Sequence, residues 1–121
     1  MPILNVEIVT KENESLNSTL AQEIADIAGE VLNSSPQGTW VKVRSIEPYQ
    51  YAENGGTAFG TSPVIVSVIK GGLQDRAELE SEVQELTARI ASICDRRAEN
   101  VHIIYEPPGA GRVAFGGKLV G

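Results

Sequence analysis

The sequence predicts an α/β (α+β) fold. Two tandem β-α-β units form a four-stranded mixed sheet with both helices on one face. Three observations lead there. The openings "MPILNVEIVT" and "SPVIVSVIKG" both place a proline before an alternating apolar run and then a helical pattern. Pro2 falls on Pro63, and the pair Gly55–Gly56 on Gly116–Gly117, each at a spacing of 61. Between those marks the apolar period changes from two to about 3.6 and back again in each half.

Taken in order, Leu4, Val6 and Ile8 alternate with Asn5 and Glu7, which predicts a first strand. Leu16, Leu20, Ile24, Ile27, Val31 and Leu32 recur at steps of three and four, a helical stripe flanked by Gln22, Glu23, Asp26 and Glu30. Ser15 is the expected cap, and "NSSPQG" ends the helix. "WVKVRSI" is a second strand. After the first glycine pair, "VIVSVI" reads as a strand apolar on both faces. Asp75 caps a helix with the stripe Leu79, Val83, Leu86, Ile90 and Ile93, leaving Glu78, Glu80, Glu82 and Glu85 as its expected solvated side. "NVHIIY" is the fourth strand.

Each strand–helix–strand unit implies a parallel pair with a right-handed crossover. Helices on one face leave the other without cover from the chain, so assembly through the sheet is expected. The 121 residues suit a single domain built from two pseudo-repeats, 2–61 and 63–121.

Composition narrows the function. Ten basic against sixteen acidic side chains give a net charge of −6 with no basic run, which argues against nucleic acid. No apolar stretch approaches the ~20 residues that span a bilayer, and no cationic leader precedes the first strand. The single cysteine, Cys94, excludes an internal disulfide and reads as packing beside Ile90 and Ile93. A cytoplasmic protein without membrane contact is expected.

With these motifs in order, the chain resembles the tautomerase superfamily, whose members begin with proline once methionine is removed. "PILNVEIVTKE" and "NVHIIYEPP" followed by "FGG" are similar to the opening and closing of its short subunits. "SPQGTWVKV", "ENGGT" and "VIKGGLQDR" look closest to the fused members related to macrophage migration inhibitory factor. The resemblance implies a homotrimer with sites near subunit boundaries, no cofactor and no metal. It also implies a keto–enol tautomerase or isomerase acting on a small 2-oxoacid or unsaturated carboxylate.

In that reading Pro2 is the acid–base group. An internal proline nitrogen is an amide whose lone pair is delocalised, whereas removal of Met1 makes Pro2 a secondary amine. An α-amino group titrates near ~8, and apolar walls or a neighbouring cation lower that value. Pro63 shares the position in the repeat without a free nitrogen, so one centre per chain is expected.

A carboxylate substrate calls for cations. Lys42 in "WVKV" and His102 in "NVHI" occupy equivalent places in the halves, and Lys42 and Arg44 share a strand face with Trp40. The short tautomerases have a substrate-binding arginine at the matching place; the inhibitory-factor group has a tyrosine where His102 stands. Arg112 and Lys70 are further candidate substrate contacts, and His102 is a candidate donor to a carbonyl or enolate oxygen. Tyr49, Tyr51, Phe59, Val113 and Phe115 flank the glycine pairs as candidate lining of a pocket mouth. Ser34 replaces the lysine of the inhibitory-factor group, and its CxxC motif is absent. Two alternatives share the scaffold: hydration or hydrolytic dehalogenation with a protonated Pro2, and a trimeric binding or signalling protein whose pocket has decayed.

Overall fold

The computed structural model describes residues 1–121. Its elements are β1 (Ile3–Val9), α1 (Leu20–Val31), β2 (Trp40–Ile46), β3 (Val64–Ile69), α2 (Arg76–Cys94), β4 (Val101–Tyr105) and a terminal hairpin of β5 (Ala114–Phe115) and β6 (Lys118–Leu119). The main sheet runs β2-β1-β3-β4, with β1 parallel to β2, β3 parallel to β4, and an antiparallel seam between β1 and β3. The predicted four-stranded mixed sheet is present.

Side-chain alternation decides which face is dry. Leu4, Val6 and Ile8 of β1 and Val64, Val66 and Val68 of β3 are buried with Leu20, Ile24 and Ala28 of α1 and Leu86, Ile90 and Cys94 of α2 in one cluster. Both helices therefore cover the same face. Each buried Val, Leu and Ile among them contributes about 1.5–3 kcal/mol by leaving water. The opposite face carries Ile3, Asn5, Glu7, Trp40, Lys42, Arg44, Ile65, Ser67, Ile69, His102 and Ile104. On it Trp40 remains 54% and Ile104 50% exposed.

The two halves use the same register, Ile3 opposite Trp40 and Val64 opposite Val101. Burial makes Leu4 the counterpart of Val64, however, not of Ile65. The strands thus repeat one residue out of step with the proline marks. Pro2 matches the place of Ser62, while Pro63 is packed fully into the core.

Two local expectations need correction. Ser15 is not the cap of α1. The Asn17 carboxamide oxygen accepts from the Thr19 N–H at 3.0 Å and hydroxyl at 2.9 Å, a local turn that holds residues 17–19 out of the helix until Leu20. Glu82 does not belong to the solvated side of α2. Its side chain is 9% exposed and accepts from Lys70 at 2.9 Å, Gln74 at 2.6 Å and the Tyr105 hydroxyl at 2.7 Å. Asp75 does cap α2, accepting from the Glu78 N–H at 2.9 Å.

Burial alone would push the Glu82 carboxyl up; the bonds from Lys70, Tyr105 and Gln74 outweigh it and hold the group below its ordinary range. Tyr105 is pushed up by burial and by that same carboxylate. Since the folded value of Glu82 is depressed, its contribution to stability is complete above the ordinary carboxylate range and is lost as pH falls through the folded value. Glu82→Gln keeps an acceptor but removes the charge that Lys70 faces. A loss of about 1–3 kcal/mol in urea unfolding at pH 7 is expected, with less further loss in acid than the native chain shows.

Candidate active site

Pro2 stands just before an inner strand. Its carbonyl accepts from the Trp40 N–H at 3.0 Å, which ties the chain start to β2. The segment after β4 then folds back over the open face at this end of the sheet. The Gly109 N–H donates to the Lys70 carbonyl at 2.7 Å, and the Gly109 carbonyl accepts from the N–H groups of Arg112 and Val113. Gly116 and Gly117 make the two-residue turn between β5 and β6, with φ of 58° and 87°. Positive φ at both positions is what such a hairpin turn requires.

That hairpin brings Phe115 edge-on to Trp40, with ring centroids 5.1 Å apart and planes at 79°. Trp40 is further held by its indole N–H, which donates to the Gln37 carbonyl at 3.1 Å. Met1, Gln37, Gly38, Trp40 and Phe115 line a cleft of about 180 Å³. Met1, the residue before Pro2, is thus part of the lining of this cleft.

The other predicted residues divide by face and row. Lys42 follows Trp40 on the open face by two residues, about 6.6 Å along the strand. Arg44 is one step further, exposed, and pairs with the half-buried Glu7 at 3.5 Å. Asn5, Glu7, Lys42 and Arg44 share a shallow hollow of about 390 Å³. His102 lies in the row Arg44–Glu7–Ile65–His102, at the opposite edge of the sheet. Three strand spacings, roughly 14 Å, separate it from β2, so one chain does not bring His102 to Lys42.

Lys70 turns to the helix-covered face, where its side chain is 13% exposed and its ammonium is bound to Glu82 and Gln74. Arg112 is exposed on the return segment and donates to the carbonyls of Pro107 and Pro108 at 3.0 and 3.3 Å. Tyr49 and Phe59 are exposed on the loop before β3 and stand outside the cleft. Cys94 is buried, and burial pushes its thiol up to about 11, far from a reactive thiolate.

Sequence reasoning missed Gln37, Gly38 and Gly109. Pro2 and Trp40 were legible as chemistry-bearing or aromatic residues, but the close approach of Gly109 to the chain start arises only when the return segment folds over.

No family model and no curated protein matches the chain. Solved structures do. A wild-type fused 4-OT, solved as an asymmetric trimer, is 13% identical with a TM-score of 0.78, covering 97% of this chain and 94% of that one. The macrophage migration inhibitory factor of Trichinella spiralis is 12% identical with a TM-score of 0.75, over 97% and 98% of the two chains. A malonate semialdehyde decarboxylase inhibited by 3-bromopropiolate is 17% identical with a TM-score of 0.70, over 94% and 88%. At these identities the likeness is one of fold, and this chain has the tautomerase/MIF fold that these structures share.

Proposed function

We propose that this chain, once Met1 is removed, is a cofactor-free tautomerase or isomerase with Pro2 as its acid–base catalyst. The carrying observation is that Met1, whose removal would free the Pro2 nitrogen, lines the cleft of Trp40 and Phe115, and that Trp40 shares its sheet face with Lys42. An α-amino group titrates near ~8, and burial among apolar walls disfavours the protonated form of such an amine. A base poised there abstracts a proton next to a carbonyl.

The step balances without a co-reactant. Pro2 takes the hydroxyl proton of an enol, the oxygen pair closes to the carbonyl, and the carbon end of the former double bond takes the proton from the prolinium. In reverse the α-carbon gives up its proton. Lys42 holds the substrate carboxylate, with Arg44 behind it, and Arg112 is the cation on the return segment. Lys70 would act only by exchanging Glu82 for substrate.

A homotrimer belongs to the same proposal. The open face exposes apolar residues that need cover, and the fused 4-OT of like fold is a trimer. In a cyclic assembly one surface of a copy meets a different surface of the next. That is the arrangement in which His102, at the β4 edge, comes to share a site with Lys42 and serves as carbonyl donor. We place the protein in the cytoplasm and treat halves 2–61 and 63–121 as pseudo-repeats of one domain; no helix is long and apolar enough to cross a membrane. The test is an assay on phenylpyruvate, 2-hydroxymuconate and the straight-chain 2-oxohexanoate, with intact mass recording loss of Met1. Processed protein that turns over none of the three sinks the assignment. For the assembly, light scattering at the mass of one chain, 12.9 kDa, would refute the trimer; three times that mass is expected.

A further inference from the structure

We propose that the slot filled by the Met1 side chain beside Gly109 becomes, in the processed protein, the pocket for an unbranched apolar tail of the substrate. Gly109 sets what tail fits. The inference rests on the Pro2 reading, since the slot opens at the nitrogen that Met1 leaves behind.

The Met1 side chain packs in apolar surroundings between the return segment and the end of β3. A Cβ placed on Gly109 would lie 2.7 Å from the Met1 methyl carbon, 3.0 Å from Val113 Cγ2 and 3.1 Å from Ile69 Cγ2. On Gly71 a Cβ would lie 3.5 Å from the same methyl. The thioether end therefore rests against two glycine backbones, with Ile69 and Val113 close by and no charged group among these contacts. Gly109 does not have a positive φ, so what glycine supplies here is the absence of a side chain. Its backbone has no freedom to retreat, because its N–H is bonded to Lys70 and its carbonyl accepts twice from the next turn of chain.

Met1 is thus a template for the substrate that takes its place. Its side chain is a straight run of four heavy atoms ending in a methyl group, and it reaches the slot from the Pro2 nitrogen. A 2-oxoacid with its α-carbon at that nitrogen sends its tail along the same path. Straight aliphatic or thioether tails fit; a branch at the Gly109 level meets backbone. The substrate class is then a straight-chain 2-oxoacid. Pockets of this kind discriminate one methylene by about 10–200-fold.

The test compares 2-oxohexanoate, pyruvate and a 2-oxoacid branched next to its α-carbon on processed protein. Exchange of α-protons with deuterated water gives kcat/KM, and saturation-transfer NMR reports contact with the tail. The ratio of kcat/KM for 2-oxohexanoate over pyruvate is expected to fall about 10–200-fold in Gly109→Ala. Tail protons should receive saturation from the processed native chain and lose it when Met1 is retained. An unaltered ratio, or no tail contact in the processed chain, overturns the slot. Tail contact without proton exchange would instead remove the Pro2 chemistry and leave the slot standing. Folding provides a control: Gly109→Ala should lower Tm more in the Met1-retained chain than in the processed one, and equal losses overturn the claim that Met1 fills the slot.

Discussion

Protein that keeps Met1 is expected to lose proton transfer by about 10²–10⁴-fold in kcat/KM relative to the processed chain, the usual contribution of a positioned base. Two effects act together. The Pro2 nitrogen becomes an amide with no available lone pair, and the Met1 side chain occupies the space beside Gly109 that the proposed substrate tail would enter. Pro2→Ala separates them. After processing, alanine still offers an amine titrating near ~8, but loses the fixed ring that aims it. Its rate should fall between the two forms. The pH profile of kcat/KM should show a limb from the Pro2 amine, rising as the amine loses its proton. Equal rates for retained and processed protein would remove Pro2 from the mechanism.

Arg96→Ala should destabilise the fold more than truncation of any other charged side chain. The Arg96 side chain is 2% exposed and serves four segments. Its guanidinium donates to the carbonyls of Ser62 at 2.8 Å, Val9 at 3.0 Å and Cys94 at 2.9 Å, and to both oxygens of Glu14 at 2.7 and 2.9 Å. It thereby pins the ends of β1 and α2, the entry to β3 and the loop after β1. Truncation strands a carboxylate and three carbonyls, a loss of about 3–5 kcal/mol from a total that for most domains is about 5–15 kcal/mol. At roughly 4 °C per kcal/mol, Tm should drop by some 12–20 °C. Arg96→Lys keeps the charge without the planar fork and should fall between. A loss under 1 kcal/mol in urea unfolding would show that the guanidinium does not hold these segments together.

The same pair shapes the acid limb. The Arg96 hydrogen bond, against the opposing effect of burial, holds the Glu14 carboxyl below its ordinary range. Its stabilising contribution is complete above that range and disappears as pH falls through the folded value. In Arg96→Ala this part of the acid dependence should flatten.

How much the residues made legible depends on range of interaction. The alternation of Leu4, Val6 and Ile8 and the stripe of α2 report which side is dry, and both read correctly because burial acts on the same positions that carry the period. Glu82 read wrongly for the converse reason: an acidic residue on a polar helix side is indistinguishable from its neighbours until Lys70, from the end of β3, arrives beside it. Ser15 failed through competition, since Asn17 offers the backbone a turn that costs the helix its first residues. The proline-on-proline alignment was attractive yet slipped by one residue, because a loop absorbs an offset that strand phase does not tolerate. Pro2 is legible from the repeat, and Trp40 and Lys42 from the alternation of their strand. Gly109 approaches Met1 only through the return of the carboxyl-terminal segment.

The central placement of β1 has a practical corollary for handling this molecule. An affinity tag fused ahead of Pro2 would continue from the position of Met1, which borders the cleft with Trp40 and Phe115. Gly121 is exposed at the other terminus, and appendages belong there. On the proposed Pro2 chemistry, an amino-terminal handle that keeps the Pro2 nitrogen as an amide yields folded protein without proton transfer.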